Sequence, residues 1–185
     1  MKKDNSNENN KPMRKKENII EKIFKVNGKF DFKELAKNIA IPLLGSIAVG
    51  FLTSSSGEFY SELIRPAFAP PGWVFPIIWP ILYILMGIAA YRISMYNKQG
   101  TNTGNAYFTY LLQLAINFLW PIIFFNLRLY GIAFVIILIL LIFIIITTVK
   151  FYKIDKVAGL LMIPYILWVS FASVLNFFIW LLNEM

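Results

Sequence analysis

The sequence predicts an all-α, integral membrane bundle of five transmembrane helices with a long first inter-helix loop. Two observations carry that prediction. Only 15% of the 185 residues are charged while 58% are hydrophobic, against about 25% charged in an ordinary soluble domain. The charge is also segregated: 17 of the 28 charged residues stand in Met1–Asn38 (11 Lys or Arg, 6 Asp or Glu), leaving 11 for the other 147 residues. A water-soluble globule cannot clothe its surface so sparsely. The chain divides accordingly into a basic, partly disordered cytoplasmic tail, residues 1–38, and a transmembrane domain, residues 39–185.

Within the tail, Met1–Lys16 is rich in Asn and Lys and is expected to be disordered. Ile19, Ile20, Ile23 and Phe24, then Phe30, Phe32 and Leu35, alternate with Lys. Two readings fit: a weakly amphipathic segment lying on an anionic membrane surface, or an unstructured positive tail that only fixes topology. A cleavable signal peptide does not fit, because the basic stretch is too long and no small-x-small site follows the first apolar segment. Nucleic acid is not an expected partner, since the flanking chain is in lipid.

Five apolar segments follow, each long enough to cross about 30 Å of hydrocarbon at roughly 1.5 Å per residue. They are Ile39–Ser56, Trp73–Tyr96, Gly104–Asn126, Tyr130–Phe151 and Val157–Leu182. Turn signals separate them at Asn97–Gly104, Leu127–Leu129 and Tyr152–Lys156. The fourth span is nearly pure Ile, Leu, Val and Phe and reads as lipid-facing. Gly57–Gly72 is different. It holds Pro66, Pro70 and Pro71, is too irregular for lipid, and is of the length typical of lids and binding loops. With the N-terminus inside, 16 Lys and Arg fall on the inner side and only Arg65 and Arg128 on the outer. The positive-inside rule then places a multi-pass chain in the cell membrane with its N-terminus cytoplasmic, and the first loop and C-terminus opposite.

The chain contains neither Cys nor His. That excludes disulfides, thiolate or imidazole metal sites, iron–sulfur clusters, Cys nucleophiles and His-based triads. No phosphate loop, dinucleotide fingerprint or calcium loop is present. No acidic or basic residue lies deep in any span, which argues against ion-coupled transport. No metal site or required cofactor is expected. What remains are aromatic faces, amides, hydroxyls and lipid.

All five tryptophans lie in spans two, three and five. Trp73 and Trp180 sit at span ends, where an interfacial aromatic belt accounts for them. Trp168 lies eleven residues into span five, near mid-bilayer, and Trp79 and Trp120 are each six residues inside their spans. Polar and aromatic partners fall in helical register with them. On span three Gln113, Asn117, Trp120 and Phe124 form one stripe; on span five Tyr165, Trp168, Ala172 and Asn176 form another; span two offers Phe75, Trp79 and Tyr83. Amides facing lipid are costly, so Gln113, Asn117 and Asn176 must face the interior. Either they join helices to one another, or the stripes converge beneath the long loop on a site for a large planar apolar ligand.

At these residues the sequence resembles a known family. FYSELIRPAFAPPGWVFPIIWPILY from Phe59, QLAINFLWPIIFF from Gln113 and PYILWVSFASVLN from Pro164 together resemble the TspO/MBR family of tryptophan-rich sensory proteins and translocator proteins, the latter also called peripheral-type benzodiazepine receptors. The likeness spans Ile39–Leu182. It implies a five-helix bundle, usually dimeric, with a pocket under the first loop that takes protoporphyrin IX, haem or isoquinoline carboxamides. It implies that Trp79 and Trp168 are the pocket tryptophans, Tyr60 the loop tyrosine, Asn117 and Trp120 the span-three contribution and Ala172 the small residue shaping the pocket. Phe59 stands where the family has Trp, and Arg65 where it has Lys. Phe177 replaces the Tyr of the animal cholesterol consensus, so cholesterol binding through that motif is not expected.

The expected function is that of a tetrapyrrole-binding membrane protein acting as sensor, regulator or translocator in porphyrin metabolism. Its ligand site would comprise Tyr60, Phe75, Trp79, Tyr83, Gln113, Asn117, Trp120, Trp168, Ala172 and Asn176, with porphyrin or haem as ligand rather than cofactor. Two alternatives stand beside it. One is light-dependent porphyrin degradation with Trp79 and Trp168 as the photochemical residues, and the other is facilitated transport of small apolar ligands. Membrane lipid is an expected partner. For a homodimer, Ser46-x-x-x-Gly50 supplies a small-residue spacing that permits close helix approach.

Overall fold

The computed structural model describes residues 18–54 and 56–184. Five helices, or pairs of consecutive helices, are long and apolar enough to cross a membrane, over Phe32–Leu52, Gly72–Lys98, Gly104–Asn126, Tyr130–Ile154 and Lys156–Asn183. The protein is a multi-pass membrane bundle. α1 (Ile19–Phe24) is short. α2 (Phe32–Leu52) begins where the Asp31 carboxylate accepts from the Glu34 N–H at 3.0 Å, satisfying one of the donors a helix start leaves free. That cap starts the first span seven residues before the expected Ile39, and the helix closes at Thr53, whose Oγ1 donates to the Val49 carbonyl.

α3 (Ser56–Glu62) makes the first part of the expected irregular loop helical. A single tight turn at Gly72–Val74 leads into α4 (Phe75–Lys98), with Pro76 in its first turn where no N–H is needed. α5 (Gly104–Pro121) loosens into a π-helical turn over Ile122–Asn126, immediately after the proline that removes a backbone donor. α6 (Tyr130–Ile154) is unbroken. The fifth span is two helices, not one: α7 (Lys156–Leu161) and α8 (Ile163–Asn183), separated at Met162 with Pro164 opening the second.

α2 packs on α4 and α5, and α6 lies between α5 and α8. α4 packs more closely against α7 than against α8. The core joins Tyr83, Met86 and Ile93 of α4, Tyr110 and Leu114 of α5, Ile137 and Ile144 of α6, and Tyr165 and Val169 of α8. α6 therefore turns one face inward, more than its lipid-facing composition suggests, while Val135, Ile139 and Ile142 stay exposed. Exposed Leu44, Ile47, Phe51, Ile81 and Leu167 complete an apolar exterior suited to hydrocarbon. Gly50 is exposed too, with nothing within 4 Å of a Cβ built on it.

α2 and α4 approach closely at Gly87, where a Cβ would lie 2.7 Å from the Ile39 Cα and 2.9 Å from the Asn38 carbonyl oxygen. Gly87→Ala is expected to force α2 and α4 apart and cost roughly 1–2 kcal/mol. Gly50→Ala should be nearly neutral. Unfolding in detergent compares the two, and equal midpoints would contradict the close approach.

Residues 18–31 do more than the surface-lying or unstructured segment the sequence suggests. They form a strap folded across the tail-side end of α4. Val26 is fully buried beside Leu35, Tyr91 and Met95, and Asn27 and Gly28 turn the chain through positive φ (50° and 75°) so that Val26 pairs with Lys29. Arg92 holds the strap: its Nη1 donates to the carbonyls of Lys22, Ile23 and Lys25 at 2.8, 2.7 and 3.2 Å. Its Nε and Nη2 meanwhile clasp both oxygens of Asp155 at 2.9 and 2.7 Å. The Tyr91 hydroxyl donates to the Phe24 carbonyl and accepts from the Asp31 N–H. The expected disorder of Met1–Lys16 falls outside the described residues.

Candidate functional site

The helix register places the aromatic stripes of α4, α5 and α8 toward one another in the half of the bundle beneath the loop. At the centre stands Asn117. Its Oδ1 accepts from the Tyr83 hydroxyl at 2.8 Å and its Nδ2 donates to the Tyr165 hydroxyl at 2.8 Å, tying α4, α5 and α8 through one buried amide. Trp79 packs on both phenols, stacked on Tyr83 with ring centroids 5.6 Å apart and edge-on to Tyr165 at 6.4 Å. Tyr165 is thus a central member that the expected site omits, although its place on the Trp168 stripe was readable from its spacing.

Trp168 belongs to a neighbouring group. It meets Phe75 at 5.9 Å and Phe171 at 5.7 Å, and Phe75 meets Tyr60 edge-on at 5.1 Å. The Tyr60 hydroxyl donates to the Pro70 carbonyl at 2.9 Å, closing the loop on itself, and its partial burial raises its pKa above the ordinary phenol value. The Trp168 indole N–H is buried and has no hydrogen-bond partner among the described residues.

A groove of about 540 Å³ runs between α4 and α8, lined among others by Pro70, Ile78, Leu82, Trp168 and Phe171. α4 and α8 pack only loosely on each other, and exposed Ile81 and Leu167 also line the groove. Trp168 borders this groove. Trp79, Tyr83, Asn117 and Tyr165 instead contact one another directly.

Two expected residues join a different network. The Trp120 N–H donates to Asn176 Oδ1 at 2.9 Å, and Asn176 Nδ2 donates to the Tyr130 carbonyl at 3.0 Å. Trp120 also stacks on Phe124 at 4.9 Å. These bonds fasten α5 to α8 and to the start of α6, the helix-joining role open to membrane amides. Gln113 lies a turn deeper than Asn117, fully buried, with its Nε2 4.0 Å from Met86 Sδ and its Oε1 unpartnered among the described residues. Ala172 is buried in the core one turn beyond Trp168. Phe59 is held by Tyr130, Phe125 and the Arg128 guanidinium, 4.4 Å above its ring. Trp73 is exposed, whereas Trp180 packs on Phe134 and against Gly131, where a Cβ would lie 2.8 Å from its Nε1.

Known proteins share this arrangement's sequence. A model described as the TspO/MBR family matches residues 38–181. Tryptophan-rich protein TspO of Chlorobaculum tepidum is 39% identical over 144 residues, covering 74% of this chain and 90% of its own. Protein CrtK of Rhodobacter capsulatus is 36% identical over 129 residues, 70% of this chain and 81% of its own. The translocator protein of Homo sapiens is 34% identical over 143 residues, 75% of this chain and 83% of its own.

Proposed function

This chain belongs to the TspO/MBR family, and on that premise we propose that it is a membrane sensor, regulator or translocator whose ligand is a planar tetrapyrrole such as protoporphyrin IX or haem. The observation that carries the reading is Trp168. A large indole lines an apolar groove while its N–H, buried, lacks an acceptor among the described residues. An unpaired donor in a water-poor site is costly, and a ligand offering a flat face and an acceptor would satisfy it. Phe75, Phe171 and the Tyr60 loop extend the aromatic wall, and Trp79 lies behind it on the Tyr83–Asn117–Tyr165 network. With no His in the chain, a metal-free macrocycle held by stacking suits these residues better than an axially ligated haem. Relatives bearing the names sensory protein and translocator protein support the broader role.

Titration with protoporphyrin IX is expected to quench tryptophan fluorescence with micromolar affinity, since ring stacking contributes about 1–3 kcal/mol per ring. Trp79→Phe and Trp168→Phe combined should weaken binding by roughly tenfold, read from the porphyrin's own absorbance. Unchanged affinity in that double variant would count decisively against this site. A second reading, light-driven oxidation of the bound ring with dissolved dioxygen as the oxidant, is favoured by the contact of Trp79 with two phenols. Bleaching of the porphyrin band under illumination in wild type, lost in Trp79→Phe, would favour it.

A further inference from the structure

The outer edge of the strap carries charge and apolar surface that the bundle does not use. Leu44, Ile47, Ala48 and Phe51 form an exposed stripe along α2, at helical spacing and suited to hydrocarbon. Toward the tail the same stripe ends in exposed Lys37 and Lys33. Lys33 lies eighteen residues before Phe51, roughly 27 Å along the axis at about 1.5 Å per residue. That is close to the thickness of a hydrocarbon core, so Lys33 stands near headgroup level on the lipid-facing side.

Lys29, Phe30 and Asp31 join the strap's turn to the first residue of α2 and lie at the same end. Phe32 is 70% exposed and Phe30 49%, two large rings on either side of Asp31. Asp31 does not offset the lysines, because its carboxylate caps α2 and pairs with Lys98 at 2.9 Å. The other described carboxylates at this end are engaged as well: Glu21 by Lys25, Glu34 by Lys98 and Asp155 by Arg92. Among the described residues neither Lys29 nor Lys33 forms an ion pair. Lysine beside phenylalanine at a membrane boundary suits anionic lipid. The ammonium meets phosphate while the ring enters the boundary between headgroups and acyl chains.

This edge is coupled to the strap's seat. Phe30 meets Tyr91 edge-on with ring centroids 6.4 Å apart, and the Tyr91 hydroxyl bonds both the Phe24 carbonyl and the Asp31 N–H. The Lys29 backbone pairs with that of Val26, whose side chain is buried beneath the strap. A contact that fixes Lys29 and Phe30 from outside therefore opposes the lifting of Val26.

We propose that Lys29, Phe30, Phe32 and Lys33 form a docking surface for anionic phospholipid headgroups, and that this contact holds the strap on α4. Bilayer charge then controls how often the tail-side end of α4 is uncovered. No ligand in the Trp168 groove is needed for it.

Hydrogen exchange of the full chain in nanodiscs of phosphatidylcholine, with or without about 30% phosphatidylglycerol, tests the contact. The reporters are the Asp31 amide, bonded to Tyr91, and the Val26 and Lys29 amides of the turn. Phosphatidylglycerol is expected to slow their exchange about tenfold, an effect lost at about 0.5 M salt. Lys29→Gln with Lys33→Gln should abolish the difference between the bilayers. Lys153→Gln with Lys156→Gln removes the same charge from the same end of the bundle and should keep it. Equal exchange in the two bilayers for wild type would overturn the docking surface, and that comparison needs no variant to fold. A difference lost as fully in the Lys153–Lys156 pair would overturn it too, since general positive charge would then be the cause.

Discussion

Asp155→Ala is expected to destabilise the protein by about 3–5 kcal/mol, because it strands a buried cation. Arg92 and Asp155 are both 5% exposed and meet through two bonds, so removing the carboxylate leaves the guanidinium with carbonyls alone. Asp155 also caps α7, accepting from the Ala158 N–H at 2.7 Å, and loss of a helix cap adds roughly 1 kcal/mol within that range. Unfolding midpoints in detergent measure the effect. Replacing both partners with apolar residues of similar size should restore much of the loss, since two unpaired charges are then avoided. A wild-type midpoint for Asp155→Ala would contradict the buried pair.

The pH dependence follows with its sign. Burial opposes ionisation of Asp155, but hydrogen bonds from Arg92 and the Ala158 N–H outweigh it and hold the carboxyl below its ordinary value. A depressed carboxyl contributes stability above its unfolded pKa and loses it as pH falls through the folded one. The contribution is therefore complete at neutral pH. It fades only in acid below the usual carboxylate range, and Asp155→Asn should flatten that limb of the stability profile.

Asn117→Leu is the second large effect. The substitution preserves volume but removes the acceptor for the Tyr83 hydroxyl and the donor to the Tyr165 hydroxyl. Two buried phenols lose partners at once, for an expected cost of roughly 2–3 kcal/mol. Adding Tyr83→Phe and Tyr165→Phe should recover part of that loss, because the stranded hydroxyls go with them. A triple variant no more stable than Asn117→Leu would show that the amide acts through packing alone. Porphyrin affinity should fall as well, since Trp79 rests on the two rings that Asn117 positions.

Much of this architecture was legible in the residues. Length and apolarity marked out five spans, and the prolines and length of Gly57–Gly72 marked out the loop. The misses have local causes. The early start of α2 depends on Asp31 capping Glu34, an Asp-x-x-Glu signature present in the sequence but obscured by the surrounding lysines. The break at Met162 follows from Pro164, which can open a helix as readily as kink one. The strap was hidden because Arg92 meets residues 70 positions earlier and 63 later, and spacing says nothing about contacts so distant.

The candidate site was legible by face and not by depth. Register put Gln113, Asn117 and Trp120 on one stripe, yet the structure gives them three different neighbours: Met86, the Tyr83–Tyr165 pair, and Asn176. Periodicity fixes which side of a helix a residue occupies. The rotation and height of the facing helices, which decide its partner, come from packing of the kind seen at Gly87, where main chain meets main chain.

The strap also decides the topology of access. With Val26 seated on Tyr91 and Met95 and Arg92 gripping three carbonyls behind it, the strap covers the tail-side end of α4 like a stopper. The proposed ligand, held along the Trp168 groove, would then exchange from the loop side or sideways between α4 and α8. Carriage through to the opposite face would first require the stopper to be unseated, one bond after another.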